Sequence, residues 1–439
     1  ELPKQFHTLL GHRTLLQQAL LRAAKVSERK KIVIVTGQRD GALALHQARQ
    51  VLPVTRDALL EEPVGRGTAP AIALALAYLL EHGGTEDDLV LVAPSDHLVT
   101  DEEAFERAVR QGFAPASEGH IVTFGIRPET ANTGFGYIRC APMKEGHAPV
   151  ERFVEKPDRE RAERYIKEGN CFWNGGLFLF RIGTMFEALD THAPTIASAA
   201  RRGYDAMLES FDALPSISID NAVMEKTSGA AMVELDAGWS DVGSWDALYN
   251  RWDKDDDGNV LAGDVLTVNS KDSLFFSPDR LVVGIDLQDM LVVDGGDALL
   301  VAPRGSSHRV REAVELLKEQ GRREAVEPVE TVRPWGRFRM LFSGNGFRAK
   351  YLVIEPGKRL SLQYHHHRSE HWIVVRGRGT VSLDGQTFSL GEGESVSIPM
   401  GAQHRLENRE EGPLEIIETQ IGARLREDDI VRLDDDYAR

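Results

Sequence analysis

Cysteine is almost absent: Cys140 and Cys171 are the two thiols in a chain of 439 residues. Two thiols cannot build a disulfide framework, and such sparing use fits a reducing cytosol. Long apolar runs are missing as well; none approaches the roughly 18 to 20 residues that a membrane-spanning helix needs. Positive charge is in deficit, with 52 Lys and Arg against 68 Asp and Glu and a formal net charge of −16. That balance argues against nucleic acid or an anionic membrane as partner. Small anionic substrates stay open, because they need only a local cluster of cations and backbone N–H groups. The chain also lacks an initiating Met and enters at Glu1 directly into "ELPKQF", which leads us to expect a segment upstream of it.

What is present reads as two or three globular domains, with 42% hydrophobic and 27% charged residues. From Thr14 to about Arg110, amphipathic helices such as "TLLQQALLRAAK" alternate with short apolar strands such as "KIVIVT" and "DLVLVAPSDH". Such alternation predicts a parallel sheet with helices on both faces, and ligands beyond the carboxyl ends of its strands, where "PSDH" falls. From Val260 to Ala302, short β-rich pieces punctuated by Gly and Asp suggest coils of a β-helix with an irregular repeat. A helix is expected at "SSHRVREAVELLKEQG", and "REAVEPVETVRPWG" reads as a linker. From Phe338 to Gln420, strands and tight turns, including the hairpin signal "LDGQ", predict a β-barrel or sandwich. The expected domains are residues 1–255, 256–328 and 329–439.

The stretch "LSLQYHHHRSEHW" places four histidines and a glutamate close together. Strand alternation puts Gln363, His365 and His367 on one face and Tyr364 and His366 on the other. A metal centre also needs ligands from a second strand, and "GESVSIPMGAQHRLEN" offers one. The two stretches resemble the paired motifs of the cupin family. Gly393, Pro399, Gly401, His404 and Asn408 match the second motif at every fixed position. Gly357, His365, Glu370 and Gly377 match the first, with Gln363 where a histidine usually stands. The resemblance implies a β-barrel with a metal held by Gln363, His365, Glu370 and His404, like the zinc site of phosphomannose isomerases. Two imidazoles, one carboxylate and one amide oxygen suit Zn²⁺, with Mn²⁺, Co²⁺ or Ni²⁺ as alternatives. Solvated strand histidines are the plainer reading, but four ligand types at family spacing speak against it. Aldose–ketose isomerisation needs a base, for which His367, His371 and Lys350 are candidates. Arg368 and Arg405 either hold a substrate phosphate or are ordinary exposed arginines.

Towards the amino terminus, chemistry-bearing pieces occur in order. "LPKQF" supplies Lys4, and "EEPVGRGTAPAIALA" is a Gly-containing loop opening a helix, with Arg66 and Thr68. Asp96 follows in "VAPSDH", Gly136 in "TGFGYIR", Glu155 and Lys156 in "FVEKP", Asn174 in "WNGGLFLF" and Asp241 in "GWSDVGSW". Each piece has a plainer reading: "PSDH" as a helix cap, "GWSDVGSW" as core tryptophans round a turn, "EKP" as a strand end. As an ordered set they resemble the sugar-nucleotide pyrophosphorylases. With the cupin motifs, the chain resembles the bifunctional mannose-1-phosphate guanylyltransferase/mannose-6-phosphate isomerases. The family's Gly-rich phosphate loop stands before "PK", outside this sequence, and Gly67 replaces the Asn usual in "GRNTAPA".

The resemblance implies a Rossmann-like α/β nucleotidyltransferase domain, a small β-helix-like segment and a carboxy-terminal cupin barrel. Asp96 and Asp241 would share Mg²⁺, and Lys4 and Lys156 would offset phosphate charge. Glu155 would accept hydrogen bonds from sugar hydroxyls, Gly136 would admit the sugar to the backbone, and Arg66, Thr68 and Asn174 would complete substrate binding. The implied substrates are GTP, mannose 1-phosphate, mannose 6-phosphate and fructose 6-phosphate, acted on in the cytoplasm by a homodimer. Two alternatives stand beside this expectation: a guanylyltransferase whose cupin only regulates or dimerises, and a non-catalytic sugar-nucleotide sensor.

Overall fold

The computed structural model describes residues 3–9, 11–27, 31–326 and 329–434, so Glu1 and Leu2 lie outside it. It divides between Arg251 and Trp252 into two compact units.

The amino-terminal unit is built on a six-stranded mixed sheet. Its strand order is Leu89–Val92, Cys171–Arg181, Ile121–Ile126, Ala230–Glu234, Ala148–Val154 and Tyr137–Cys140. The expected parallel arrangement needs correcting here. Within this sheet only Ile121–Ile126 and Ala230–Glu234 pair parallel, while Cys171–Arg181 runs antiparallel to three neighbours. A separate parallel pair joins Ile34–Gly37 to Leu59–Glu62. Apolar residues sit at every position from Leu177 to Phe180 in Cys171–Arg181, because both faces of the sheet are covered there. Phe178 and Phe180 pack into one core cluster, and Leu177 and Leu179 into the other.

Local signals set the helix starts. Thr14 and Gln17 form a reciprocal capping box at the head of Leu15–Val26. Asp101 caps Glu102–Ser117 by accepting from the Ala104 N–H at 2.8 Å. The cap is therefore not Asp96, which lies in the loop after Leu89–Val92 and pairs with Lys4.

In the carboxy-terminal unit, Val260–Val268, Leu274–Ile285 and Met290–Asp294 stack parallel as coils of a β-helix. Val260, Leu274 and Leu291 align across the coils and are buried. The helix Val310–Glu319 follows. Part of the expected linker is structured: Glu330–Arg333 pairs with Gly336–Gly344 as the edge strand of the barrel, while residues 327 and 328 lie outside the description. The barrel consists of two sheets. One runs Glu330–Arg333, Gly336–Gly344, Phe347–Ile354, Leu414–Gly422, Arg368–Arg376, Ser395–Ile398; the other runs Gln386–Leu390, Gly379–Leu383, His404–Glu407, Leu362–His365, Ile430–Asp434. Trp335, Trp372, Val381, Leu406 and Ile416 are among its core residues. The "LDGQ" turn has positive φ at Asp384 (46°) and Gly385 (80°), as a two-residue hairpin requires.

Candidate active sites

The barrel brings ligands from both sheets to one buried point. Gln363 and His365 share one face of Leu362–His365, and Gln363 lies cross-strand from His404. Glu370 comes from the opposing sheet. One ligand atom each from His365, Glu370 and His404 lies within 4.8 Å of the others, and all three residues are buried. The Gln363 amide oxygen accepts from the Ser361 hydroxyl at 2.9 Å.

The donor set fits a divalent ion. His404 Nδ1 lies 2.9 Å from the Ala402 carbonyl, so it carries the proton and Nε2 presents a lone pair. That Nε2 is buried without a hydrogen-bond partner among the described residues. His365 Nδ1 faces the Asp429 carbonyl at 3.4 Å, which turns its Nε2 towards Glu370 Oε1 at 3.0 Å. Burial alone would raise the Glu370 pKa. The hydrogen bond from His365 and the positive potential of His404, His365 and Arg368 outweigh it and hold the carboxyl well below its usual range. Burial, opposed by Glu370, lowers the His404 pKa.

Arg368 and Arg405 are both buried, not exposed. Arg368 Nε donates to Glu370 Oε1 at 3.1 Å and one Nη to the Arg426 carbonyl at 3.1 Å. Its guanidinium thus presses on the ligand cluster. Arg405 stands beside His404 on the opposite strand face and donates to Asp434 Oδ2 at 2.7 Å. The structure does not bring it to the cluster. Arg432, cross-strand from Gln363, is the cation that register places on the ligand face.

The three candidate bases separate clearly. His371 is exposed between buried Glu370 and Trp372, on the outer face, and pairs with Ser397 Oγ at 2.7 Å. The expectation that spacing could carry it to the metal does not hold, because strand alternation points it away. Lys350 lies inside the barrel, 3.6 Å from the Glu418 carboxylate and over the Phe338 ring. Burial and the charge of Glu370 raise the Glu418 pKa. His367 follows the strand end, and its Nδ1 meets Asp429 Oδ1 at 2.6 Å.

In the amino-terminal unit, the isolated bridge between Leu98 and Ser240 sets Asp96 and Asp241 beside each other in space. Lys4 Nζ pairs with Asp96 Oδ2 at 2.9 Å and also donates to the Asp241 carbonyl. Lys4 thus ties the Asp96 carboxylate to the backbone at Asp241. His97 lies behind Asp96 at 3.8 Å, accepts from Trp239 Nε1 at 3.2 Å, and is driven down in pKa mainly by burial.

A second group collects round Gly136. A Cβ there would stand 2.6 Å from Glu155 Oε2 and 3.4 Å from Asn174 Cβ, so glycine makes room for that carboxylate. Lys156 pairs with Glu155 at 3.0 Å. Asn174 is committed to the protein: Oδ1 accepts from Thr123 at 3.1 Å, and Nδ2 donates to Asp220 Oδ1 at 2.9 Å. Arg66 and Thr68 both hold the 212–219 segment, Arg66 through the Asp212 carbonyl and Thr68 by accepting from the Ile219 N–H at 2.8 Å. Gly67 has φ +82°, and a Cβ would meet the Ile217 carbonyl oxygen at 2.7 Å. Glycine at this position thus lets the loop and the 217 segment close on each other.

Sequence reasoning missed several groups. Asp220, on a π-helical turn from Asp220 to Met224, is pushed up to about 6 by burial and the charge of Glu155. Glu62, at the carboxyl end of its strand, is pushed up to about 7 by burial and has a buried oxygen without a hydrogen-bond partner among the described residues. Gln420 donates to Glu370 Oε1 at 3.0 Å and Trp372 to Oε2 at 3.2 Å. A partly buried carboxyl near a loop could have flagged Glu62 in "EEP"; nothing local marks Asp220, Gln420 or Asp429.

Comparison with known proteins agrees with this geometry. The family described as nucleotidyl transferase matches residues 1–258. A mannose-phosphate isomerase/GMP-like β-helix domain matches 263–317, and the mannose-6-phosphate isomerase C-terminal family matches 320–435. The whole chain aligns with the xanthan biosynthesis protein XanB of Xanthomonas campestris pv. campestris at 43% identity, covering 94% of that protein. It aligns equally fully with a mannose-1-phosphate guanylyltransferase of Escherichia coli K12 at 40% identity, again over 94%. A solved structure described as mannose-1-phosphate geranyltransferase from Thermus thermophilus superposes with TM-score 0.65 and 34% identity, over 70% of this chain and 90% of that one. Fold and sites together define an enzyme that joins a nucleotidyltransferase domain, through a β-helix, to a metal-dependent isomerase barrel. The chain belongs to the family of bifunctional mannose-1-phosphate guanylyltransferase/mannose-6-phosphate isomerases. Among the described residues no helix is long and apolar enough to cross a membrane.

Proposed function

We propose that the amino-terminal unit makes GDP-mannose and pyrophosphate from GTP and mannose 1-phosphate, and that the barrel interconverts mannose 6-phosphate and fructose 6-phosphate, both in the cytoplasm. In the transfer reaction, a sugar-phosphate oxygen attacks the α-phosphorus and pyrophosphate leaves. Two polyanions must meet, so the residues act by neutralisation and alignment. Asp96 and Asp241 would hold Mg²⁺, whose charge offsets that of the phosphates. Lys4 and Lys156 supply ammonium groups, and Glu155 offers oxygens to sugar hydroxyls over Gly136. Asn174, tied to Asp220, sets the position of that second carboxylate.

In the barrel, His365, Glu370, His404 and the amide of Gln363 would hold the ion, with Zn²⁺ the natural fit to this donor set. When bound it supplies Lewis-acid polarisation of a carbonyl oxygen. Arg432 is the register-placed cation for the sugar phosphate. His367 serves as the base, its Nδ1 held by Asp429, since His371 faces outward; Lys350, inside the barrel beside Glu418, is the second candidate.

The observation that carries the isomerase reading is the buried convergence of His365, Glu370 and His404 within 4.8 Å. Full-length protein, assayed for conversion of mannose 6-phosphate, should lose that turnover on chelation and regain it with Zn²⁺. A barrel that binds zinc yet never isomerises would reject it.

A further inference from the structure

We infer that Asp429 is a positioning residue for isomerisation, holding His367 in the orientation in which its Nε2 moves the proton. The inference rests on the isomerase reading above and assigns a residue to it.

Asp429 is the point where the ligand cluster and the proposed base meet. Its backbone carbonyl faces His365 Nδ1 at 3.4 Å. Its carboxylate takes two contacts from His367: Oδ1 lies 2.6 Å from Nδ1, and Oδ2 accepts from the backbone N–H at 3.2 Å. A carboxylate held at both oxygens by one residue cannot turn without breaking a hydrogen bond. The two side chains differ sharply in exposure, 1% for Asp429 and 52% for His367. The carboxylate is thus a fixed anchor and the imidazole the accessible end. With Nδ1 as donor to Asp429, the tautomer is set and Nε2 keeps its lone pair, as a general base needs. Two neighbouring histidines, His365 and His404, belong to the ligand cluster, and His371 lies on the outer face.

The proton bookkeeping closes within the substrate and this one ring. Nε2 takes the proton from C2 of the open-chain aldose. The C–H electron pair becomes the C1–C2 double bond, and the carbonyl π pair moves to O1. Nε2–H then returns the proton to C1, and the O2 hydroxyl proton passes to O1, leaving a ketone at C2. Nothing is oxidised overall and no co-reactant is consumed.

Substituting Asp429 separates its two contacts, since the backbone carbonyl that supports His365 survives any change of side chain. Full-length protein loaded with Zn²⁺ is assayed with mannose 6-phosphate carrying deuterium or hydrogen at C2. His367→Gln should lower kcat about 100-fold or more, the usual contribution of a positioned base. Asp429→Asn should lower kcat at least about tenfold, raise the C2 isotope effect, and leave KM and zinc content within about threefold. The double variant should be no slower than His367→Gln alone, because both changes remove one function. Asp429→Asn or His367→Gln turning over within threefold of wild type at full zinc content would overturn the inference alone. So would an Asp429→Asn defect that excess zinc repairs, since that defect is structural. A zinc-loaded wild type that neither isomerises nor exchanges C2 deuterium would overturn the isomerase reading and this inference together.

Discussion

Replacing Glu370 by Gln is the sharpest perturbation available in the barrel. The carboxylate accepts from Arg368 Nε at 3.1 Å, Gln420 Nε2 at 3.0 Å and Trp372 Nε1 at 3.2 Å, all buried. A glutamine has nearly the same shape, but one oxygen becomes an NH₂ that must face a donor. It also strips the negative charge from a guanidinium that is only 2% exposed. Removing one partner of a buried ion pair costs about 3–5 kcal/mol, mostly from the charge left uncompensated. The hydrogen-bond count gives a similar figure: one lost charge-assisted bond and one stranded donor together amount to about 3–5 kcal/mol. In metal-stripped protein, scanning calorimetry should therefore show the barrel transition falling by more than about 10 °C. That transition is recognised as the one that added Zn²⁺ raises. Arg368→Met in the same background removes the stranded cation and should restore at least about 2 kcal/mol relative to Glu370→Gln alone. Strict additivity of the two changes, within about 0.5 kcal/mol, would refute the view that Glu370 and Arg368 act as a coupled buried ion pair.

Two further predictions concern the transferase unit. Asp220 is raised from 3.8 to about 6, so the folded state resists its ionisation. The resulting cost is absent below 3.8, grows as pH rises through about 6 and is complete above it, reaching up to about 3 kcal/mol. Asp220→Asn should thus melt higher than wild type at pH 7.5 and converge with it near pH 4, while KM for mannose 1-phosphate rises. Equal melting at pH 7.5 would contradict the burial argument. Gly136→Ala places a Cβ 2.6 Å from Glu155 Oε2 and should raise KM for the sugar phosphate several-fold with little change in KM for GTP. An equal rise in both would show that Gly136 shapes the whole cleft and not the sugar end.

How much was legible beforehand depends on the distance over which the physics acts. The helix starts at Thr14 and Asp101 and the turn at Asp384–Gly385 follow from capping and φ preferences within a few residues. The β-helix is seen only dimly in the chain because its aligned positions, Val260, Leu274 and Leu291, are unequally spaced. Motif spacing named Gln363, His365, Glu370 and His404 as one set, since a recurring barrel imposes recurring intervals. Local alternation could have told His371 from Glu370, but it cannot say which face becomes the interior.

The sequence by itself determined where helices and strands fall, the three-part organisation and the candidate ligand set of the barrel, because those depend on neighbours close in the chain or on a spacing repeated across a family. The folded structure alone decided that Asp429 clamps His367 from 62 residues away and that Lys4 lies against Asp96 and the Asp241 carbonyl. It also decided that Arg368 is buried against Glu370. Those pairings depend on which strands and loops end up side by side, a global outcome of packing that no local preference encodes.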